Sequence, residues 1–209
     1  MTATIRHVVL DVGRVLIEWD PERPYRRLIP DATERRRFLS EVCSPAWNAE
    51  QDRGRDWAEG EALLIARHPD DEAMVRAFRR HWAEMVPGPV EGSVAVLDEL
   101  VAAGRDVTLL TNFAADTFEE ARGRFPFLDR ARGATVSGRV GLIKPDAAIY
   151  ERHARDHALD PAATLFFDDT AVNVDAARRA GWHAEPFTTA GAMRADLVRH
   201  DVLPGRDGG

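Results

Sequence analysis

Apolar positions along this chain follow two different periods. Five short, nearly unbroken runs fall at residues 7–10, 107–110, 134–136, 164–167 and 184–187, bounded by Gly, Asp or Pro. Runs this short and continuous predict parallel strands covered on both faces. Between most of them the apolar spacing changes to that of a helix. Val94, Leu97, Leu100 and Val101 form one stripe ended by Gly104; Val174, Ala176, Ala177 and Ala180 form another ended by Gly181. Strand, helix and strand in repeated succession predict an α/β fold with a doubly wound parallel sheet.

Residues 19–86 break the alternation, because no strand pattern occurs there. Helical spacing is found at 25–29, 34–42, 57–66 and 72–85, the last with Met74, Val75, Phe78, Trp82 and Met85 on one core-facing stripe. Residues 47–57, between two of these helices, look like a polar-aromatic loop. Turn-rich exits, Trp19-Asp20-Pro21 and Pro87-Gly88-Pro89, flank the whole block. The expected organisation is a core domain of residues 1–18 and 87–209 carrying a small all-helical cap domain of residues 19–86.

Composition narrows the class. The 209 residues are 44% hydrophobic and 30% charged, with a formal net charge of -7. Clusters such as Arg35-Arg36-Arg37 and Arg178-Arg179 suit solvated helix faces, so no nucleic-acid partner is expected. A single cysteine, Cys43, excludes an intrachain disulfide and is expected to be a packed thiol. No signal-peptide pattern or membrane-length apolar stretch is present, which points to the cytoplasm without a membrane partner. The tail from Pro204 is expected to fray. Oligomeric state is not legible.

Candidate chemistry lies just after the strands, where open parallel sheets bind ligands. Asp11 follows the first run, Thr111 and Asn112 the second, and Asp168-Asp169-Thr170 the fourth; Lys144 follows a turn near the third. Like charges ~4 Å apart repel by about 4 kcal/mol at an effective dielectric near 20. Three carboxylates, one Lys and one divalent cation sum to zero. Oxygen-only donors favour Mg²⁺, and the metal with Lys144 would attract an added dianion such as a phosphoryl group. His153 and His157, four residues apart, suit a solvated helix face better than a metal site.

The segments Val8-Val-Leu-Asp-Val-Gly-Arg-Val-Leu16, Leu109-Leu-Thr-Asn-Phe113, Gly141-Leu-Ile-Lys-Pro145 and Leu165-Phe-Phe-Asp-Asp-Thr-Ala-Val-Asn173 come in that order. The sequence resembles the haloacid dehalogenase superfamily, closest to phosphatases with a helical cap after the first strand. The resemblance implies Mg²⁺-dependent hydrolysis of a small phosphate monoester, with a sugar phosphate one expectation, through an aspartyl-phosphate on Asp11. It implies Mg²⁺ held by Asp11, the Gly13 carbonyl and Asp169, with Asp168 and Asn173 in support. Thr111, the Asn112 amide and Lys144 would hold the phosphoryl group. Arg14, Trp47, Asp52 and Arg53 are candidate substrate contacts. Many family phosphatases carry a proton-transferring Asp where this chain has Gly13; Glu18 and Asp52 are replacements by position. Two other functions compete: a metal-free 2-haloacid dehalogenase, also using Asp11, and a weakly active binding protein.

Overall fold

Why the short apolar runs must be strands is plain from their neighbours: the central ones lie between two further strands and have helices packed on both faces. The computed structural model describes residues 4–205, so residues 206–209 of the expected frayed tail lie outside the described residues. The strands are β1 (His7–Leu10), β2 (Asp106–Thr111), β3 (Ala134–Val136), β4 (Thr164–Asp168) and β5 (His183–Pro186). All pair in parallel, in the order β3-β2-β1-β4-β5. The fifth strand begins one residue earlier than the apolar pattern suggested.

Twelve α-helices complete the described chain. The first six are α1 (Glu22–Leu28), α2 (Ala32–Arg37), α3 (Pro45–Asp52), α4 (Trp57–Ile65), α5 (Glu72–Arg80) and α6 (Trp82–Met85). The remainder are α7 (Glu91–Ala102), α8 (Ala115–Arg124), α9 (Ser137–Val140), α10 (Ala147–Asp156), α11 (Ala171–Arg179) and α12 (Ala190–Arg199). None of the described helices is long and apolar enough to cross a membrane.

Strand alternation divides the core in two. Val8, Leu10, Val107, Leu109, Leu165 and Phe167 pack with Val94, Leu97 and Leu100 of α7, Phe118 of α8 and Leu197 of α12. Val9, Leu110 and Phe166 turn the other way, against Ile149 and Tyr150 of α10 and Val174 and Ala177 of α11. Each large side chain fully buried this way, such as Phe166, contributes about 1.5–3 kcal/mol.

The helical insertion has its own apolar cluster, including Tyr25, Phe38, Val42, Trp47, Leu64, Val75, Phe78 and Met85. Two details differ from the sequence expectation. The helix expected over residues 72–85 breaks at His81, whose backbone leaves the helical region at φ -105°, ψ 16°. The break separates Trp82 from the stripe: Phe78 and Met85 stay in the insertion's cluster, whereas Trp82 joins the sheet core and meets Phe113 at 5.7 Å. The supposed loop after Ser44 is α3, started by the Ser44 hydroxyl accepting from the Trp47 amide with Pro45 in the first turn.

His153 and His157 also depart from expectation. His153 is fully buried rather than solvated, with its ring nitrogens 2.9 Å from Thr108 Oγ1 and 2.8 Å from Thr135 Oγ1. His157 is half-buried and 3.3 Å from the same Thr135 hydroxyl. The apolar sheet face, with two threonines as partners, holds this pair as part of the packing.

Candidate active site

The first-strand motif makes a tight turn immediately beyond β1. Leu16 and Ile17 amides donate to the Val12 carbonyl at 2.8 and 3.0 Å, and the Arg14 amide donates to Ile17 at 2.7 Å. Val12, Val15 and Leu16 are fully buried beneath it. Their burial fixes the turn and leaves Asp11 at its base, with the Val12 amide donating to Asp11 Oδ1 at 2.7 Å.

Lys144 crosses to the same point. Its Nζ lies 2.8 Å from Asp11 Oδ1, 2.6 Å from Asp168 Oδ2 and 3.0 Å from the Leu110 carbonyl. The loop carrying it is clamped by Asn112, which donates to the Lys144 carbonyl at 3.0 Å and accepts from its amide at 2.8 Å. The Asn112 side chain is therefore committed to positioning Lys144. Burial acts to lower the Lys144 pKa, but the facing charges of Asp11 and Asp168 outweigh it and the net direction is upward. Lys144 is a fixed cation.

Asp168 accepts from Lys144, from the Thr170 amide at 2.8 Å and from Asn173 Nδ2 at 3.0 and 3.1 Å. Both its oxygens are occupied, which suits orientation of Lys144. Asp169 is more open, meeting Thr170 Oγ1 at 3.2 Å and Arg14 at 3.6 Å. Asp11, Asp168 and Asp169 each bring a carboxylate oxygen within 4.8 Å of the others. Burial, opposed by Lys144 and reinforced by Asp168, pushes Asp11 up to about 7. A hard dication among these oxygens would remove that penalty, and the all-oxygen donor set fits Mg²⁺. Thr111 Oγ1 is buried beside this cluster's strand ends without a hydrogen-bond partner among the described residues, an orphan that a ligand oxygen would satisfy.

Above the carboxylates a cavity of about 380 Å³ opens between sheet and insertion. Gly13, Arg14, Asn112 and Asp169 line its floor; Trp19, Trp57, Phe78, Trp82 and Phe113 form much of its wall. The family model for haloacid dehalogenase-like hydrolases matches residues 5–181. The chain belongs to that family. It is a hydrolase with the family's parallel sheet and helical insertion.

A sesquiterpene phosphatase, astK, from Aspergillus oryzae is 26% identical over 184 residues, covering 87% of this chain and 89% of that protein. The HAD family enzyme bt-2542 from Bacteroides thetaiotaomicron, solved as a magnesium complex, shares the fold with a TM-score of 0.70. It is 21% identical, covering 94% of this chain and all (100%) of that one. L-2-haloacid dehalogenase from Xanthobacter autotrophicus, with chloropropionic acid covalently bound, has a TM-score of 0.66 and 19% identity, covering 96% of this chain and 85% of its own. The fold is thus common to a magnesium-binding enzyme and to a dehalogenase.

The structure brings Asp11, Gly13, Thr111, Asn112, Lys144, Asp168, Asp169 and Asn173 to one end of the sheet, and Arg14 and Asp52 to the cavity. Trp47 and Arg53 do not join them. Trp47 packs inside the insertion, donating to the Gly60 carbonyl at 3.2 Å, because α3 turns it onto Phe78. Arg53 pairs with Asp146 at 3.0 Å outside the cavity lining. Sequence reasoning missed Ser137, which is fully buried and accepts from the Phe113 amide at 2.8 Å; it opens the one-turn helix α9, which carries no motif of its own.

Proposed function

We propose that the protein is a Mg²⁺-dependent phosphatase acting on a small phosphate monoester through a covalent phosphoryl intermediate on Asp11. The observation that carries this reading is Lys144 locked between two buried carboxylates beside a third, with the Thr111 hydroxyl unpaired at the same strand ends. Mg²⁺ held by Asp11, Asp169 and the Gly13 carbonyl would neutralise the anionic pocket and polarise a phosphoryl oxygen.

The Val12 amide and Lys144 both approach Asp11 Oδ1, so attack on phosphorus falls to Oδ2. Lys144 and Thr111 Oγ1 stabilise negative charge on the phosphoryl oxygens in the transition state. Asp168, held by Asn173, keeps Lys144 aimed at Asp11 throughout. The helical insertion acts as the cap over the reacting group.

The cavity wall favours an ester whose alcohol part is apolar over the sugar phosphate that the sequence suggested. Trp57, Phe78, Trp82 and Phe113 offer surface to a hydrocarbon and few donors to a polyol. Similarity to a sesquiterpene phosphatase agrees with that choice. Dehalogenation is the weaker reading, because Asp169 beside Asp11 would repel a haloacid carboxylate unless a cation lay between them.

The test is phosphate release from aryl, sugar and isoprenoid phosphates, with Mg²⁺ and with chelator. Metal-dependent release, fastest on the isoprenoid ester and absent in Asp11→Asn, is expected. Halide release from chloroacetate that chelator leaves untouched, without phosphate release from any ester, would overturn it.

A further inference from the structure

We propose that Asp52, supplied by α3 of the helical insertion, is the acid–base residue that donates a proton to the leaving oxygen and later activates water. This rests on the phosphatase reading. The need for such a group is set at Gly13, where the first-strand motif has no side chain to transfer a proton. A Cβ built there would meet nothing within 4 Å, and the backbone is outside the left-handed region. The space above the nucleophile is therefore open, and the proton must come from across the cavity.

Asp52 is the carboxyl built to face that space. It lines the cavity with Gly13, Asn112 and Asp169. Its Oδ1 accepts from the Ala114 amide at 3.1 Å, two residues beyond Asn112, and its Oδ2 accepts from Asn48 Nδ2 at 2.9 Å. Its carbonyl accepts from the Ser137 hydroxyl at 2.5 Å. Gly54, at φ +113°, lets the chain run on against Gly138, whose carbonyl oxygen would lie 3.1 Å from a Cβ at residue 54. Two segments of the core, the turn at Ala114 and the start of α9 at Ser137–Gly138, thus fix the end of α3 beside the phosphate-binding strand end. Glu18, the third acid on the cavity beside Asp52 and Asp169, is exposed and is held by neither of these segments.

Burial pushes the Asp52 carboxyl up to about 7; the Ala114 amide opposes the rise and the Asp11 charge adds to it. Both its protonation states are accordingly accessible near neutrality. In the first displacement the Asp11–phosphorus bond forms as the ester P–O bond breaks, and the Asp52 proton passes to the departing alkoxide. In the second, the oxygen of a water attacks phosphorus as the Asp11–phosphorus bond breaks and Asp52 takes the water's proton, which releases phosphate and leaves Asp11 a carboxylate and Asp52 an acid again.

The experiment compares an alkyl phosphate, whose alkoxide needs a proton to leave, with an aryl phosphate, whose phenolate does not. Asp52→Asn is expected to lower kcat/KM about 10²–10⁴-fold on the alkyl ester and less than about tenfold on the aryl ester. A partly unfolded preparation lowers both rates together, so the ratio isolates proton transfer. Adding Gly13→Asp to Asp52→Asn is expected to restore alkyl turnover. An unchanged ratio, or a double variant as slow as the single one, would overturn the assignment. A wild-type protein that releases phosphate from neither ester with Mg²⁺ would instead remove the phosphatase reading itself.

Discussion

Replacing Lys144 by Met probes the electrostatic core of the site most severely. The side chain is almost wholly buried, at 1% exposure, and makes three short contacts, with Asp11, Asp168 and the Leu110 carbonyl. Methionine keeps the length of the stem and removes the charge. Two buried carboxylates then lose their cation and one carbonyl loses its donor. Breaking a buried pair in this way costs about 3–5 kcal/mol, because the remaining charge stays desolvated. For a chain of this size each kcal/mol moves Tm by roughly 2–4 °C, so the variant should melt about 6–20 °C lower without metal. Urea denaturation and thermal melts in chelator measure it. Adding Asp168→Asn to Lys144→Met should recover part of the loss, since one orphaned charge is gone. A single variant within about 1 kcal/mol of wild type would mean that the ammonium is solvated and that the site is not organised as described.

Other perturbations reach the supports around it. Asn173→Ala removes two contacts to Asp168 and should cost about 1–3 kcal/mol, with kcat falling more than KM rises if Asp168 positions Lys144. His153 is held well below its ordinary pKa of 6.5, first by burial and then by the neighbouring His157. Its contribution to stability is therefore present above the unfolded pKa and is lost as pH falls beneath it. The difference in unfolding free energy between wild type and His153→Asn should shrink on acidification, by at most about 1.4 kcal/mol per pH unit; a difference that is flat with pH would refute burial of the neutral ring. Arg53→Ala removes an exposed pair with Asp146 and should change stability by about 0–1 kcal/mol while leaving substrate preference alone, which a kinetic panel would check.

The sheet was legible because its central strands β1, β2 and β4 are buried on both faces, and unbroken apolar runs such as Leu165-Phe166-Phe167 have few other uses. Asp11, Lys144 and Asp168-Asp169 were legible for a related reason. Charged residues directly beyond such runs must converge at one edge of a parallel sheet. The insertion was harder to resolve. Helical spacing alone did not show that His81 would break a stripe and hand Trp82 to a second core, since that depends on which surface meets the helix. The α3 helix was read as loop even though Ser44-Pro45 is a start signal, because its polar residues mask the helical period. Placing Trp47 and Arg53 at the site failed for that same reason: once residues 45–52 are helical, Trp47 turns inward and Asp52 turns to the cavity. His153 misled because a buried imidazole satisfied by Thr108 and Thr135 has the same spacing as a solvated one.

Calorimetric titration of Mg²⁺ into the metal-free protein tests the central claim most directly, namely that this cluster of carboxylates is completed by a hard dication. One ion per chain should bind at millimolar concentration or below, and Asp169→Asn, which leaves the Lys144 pairs untouched, should abolish the binding. A wild-type protein that takes up no Mg²⁺ at millimolar levels, or an Asp169→Asn variant that binds it as well as wild type, would contradict the account.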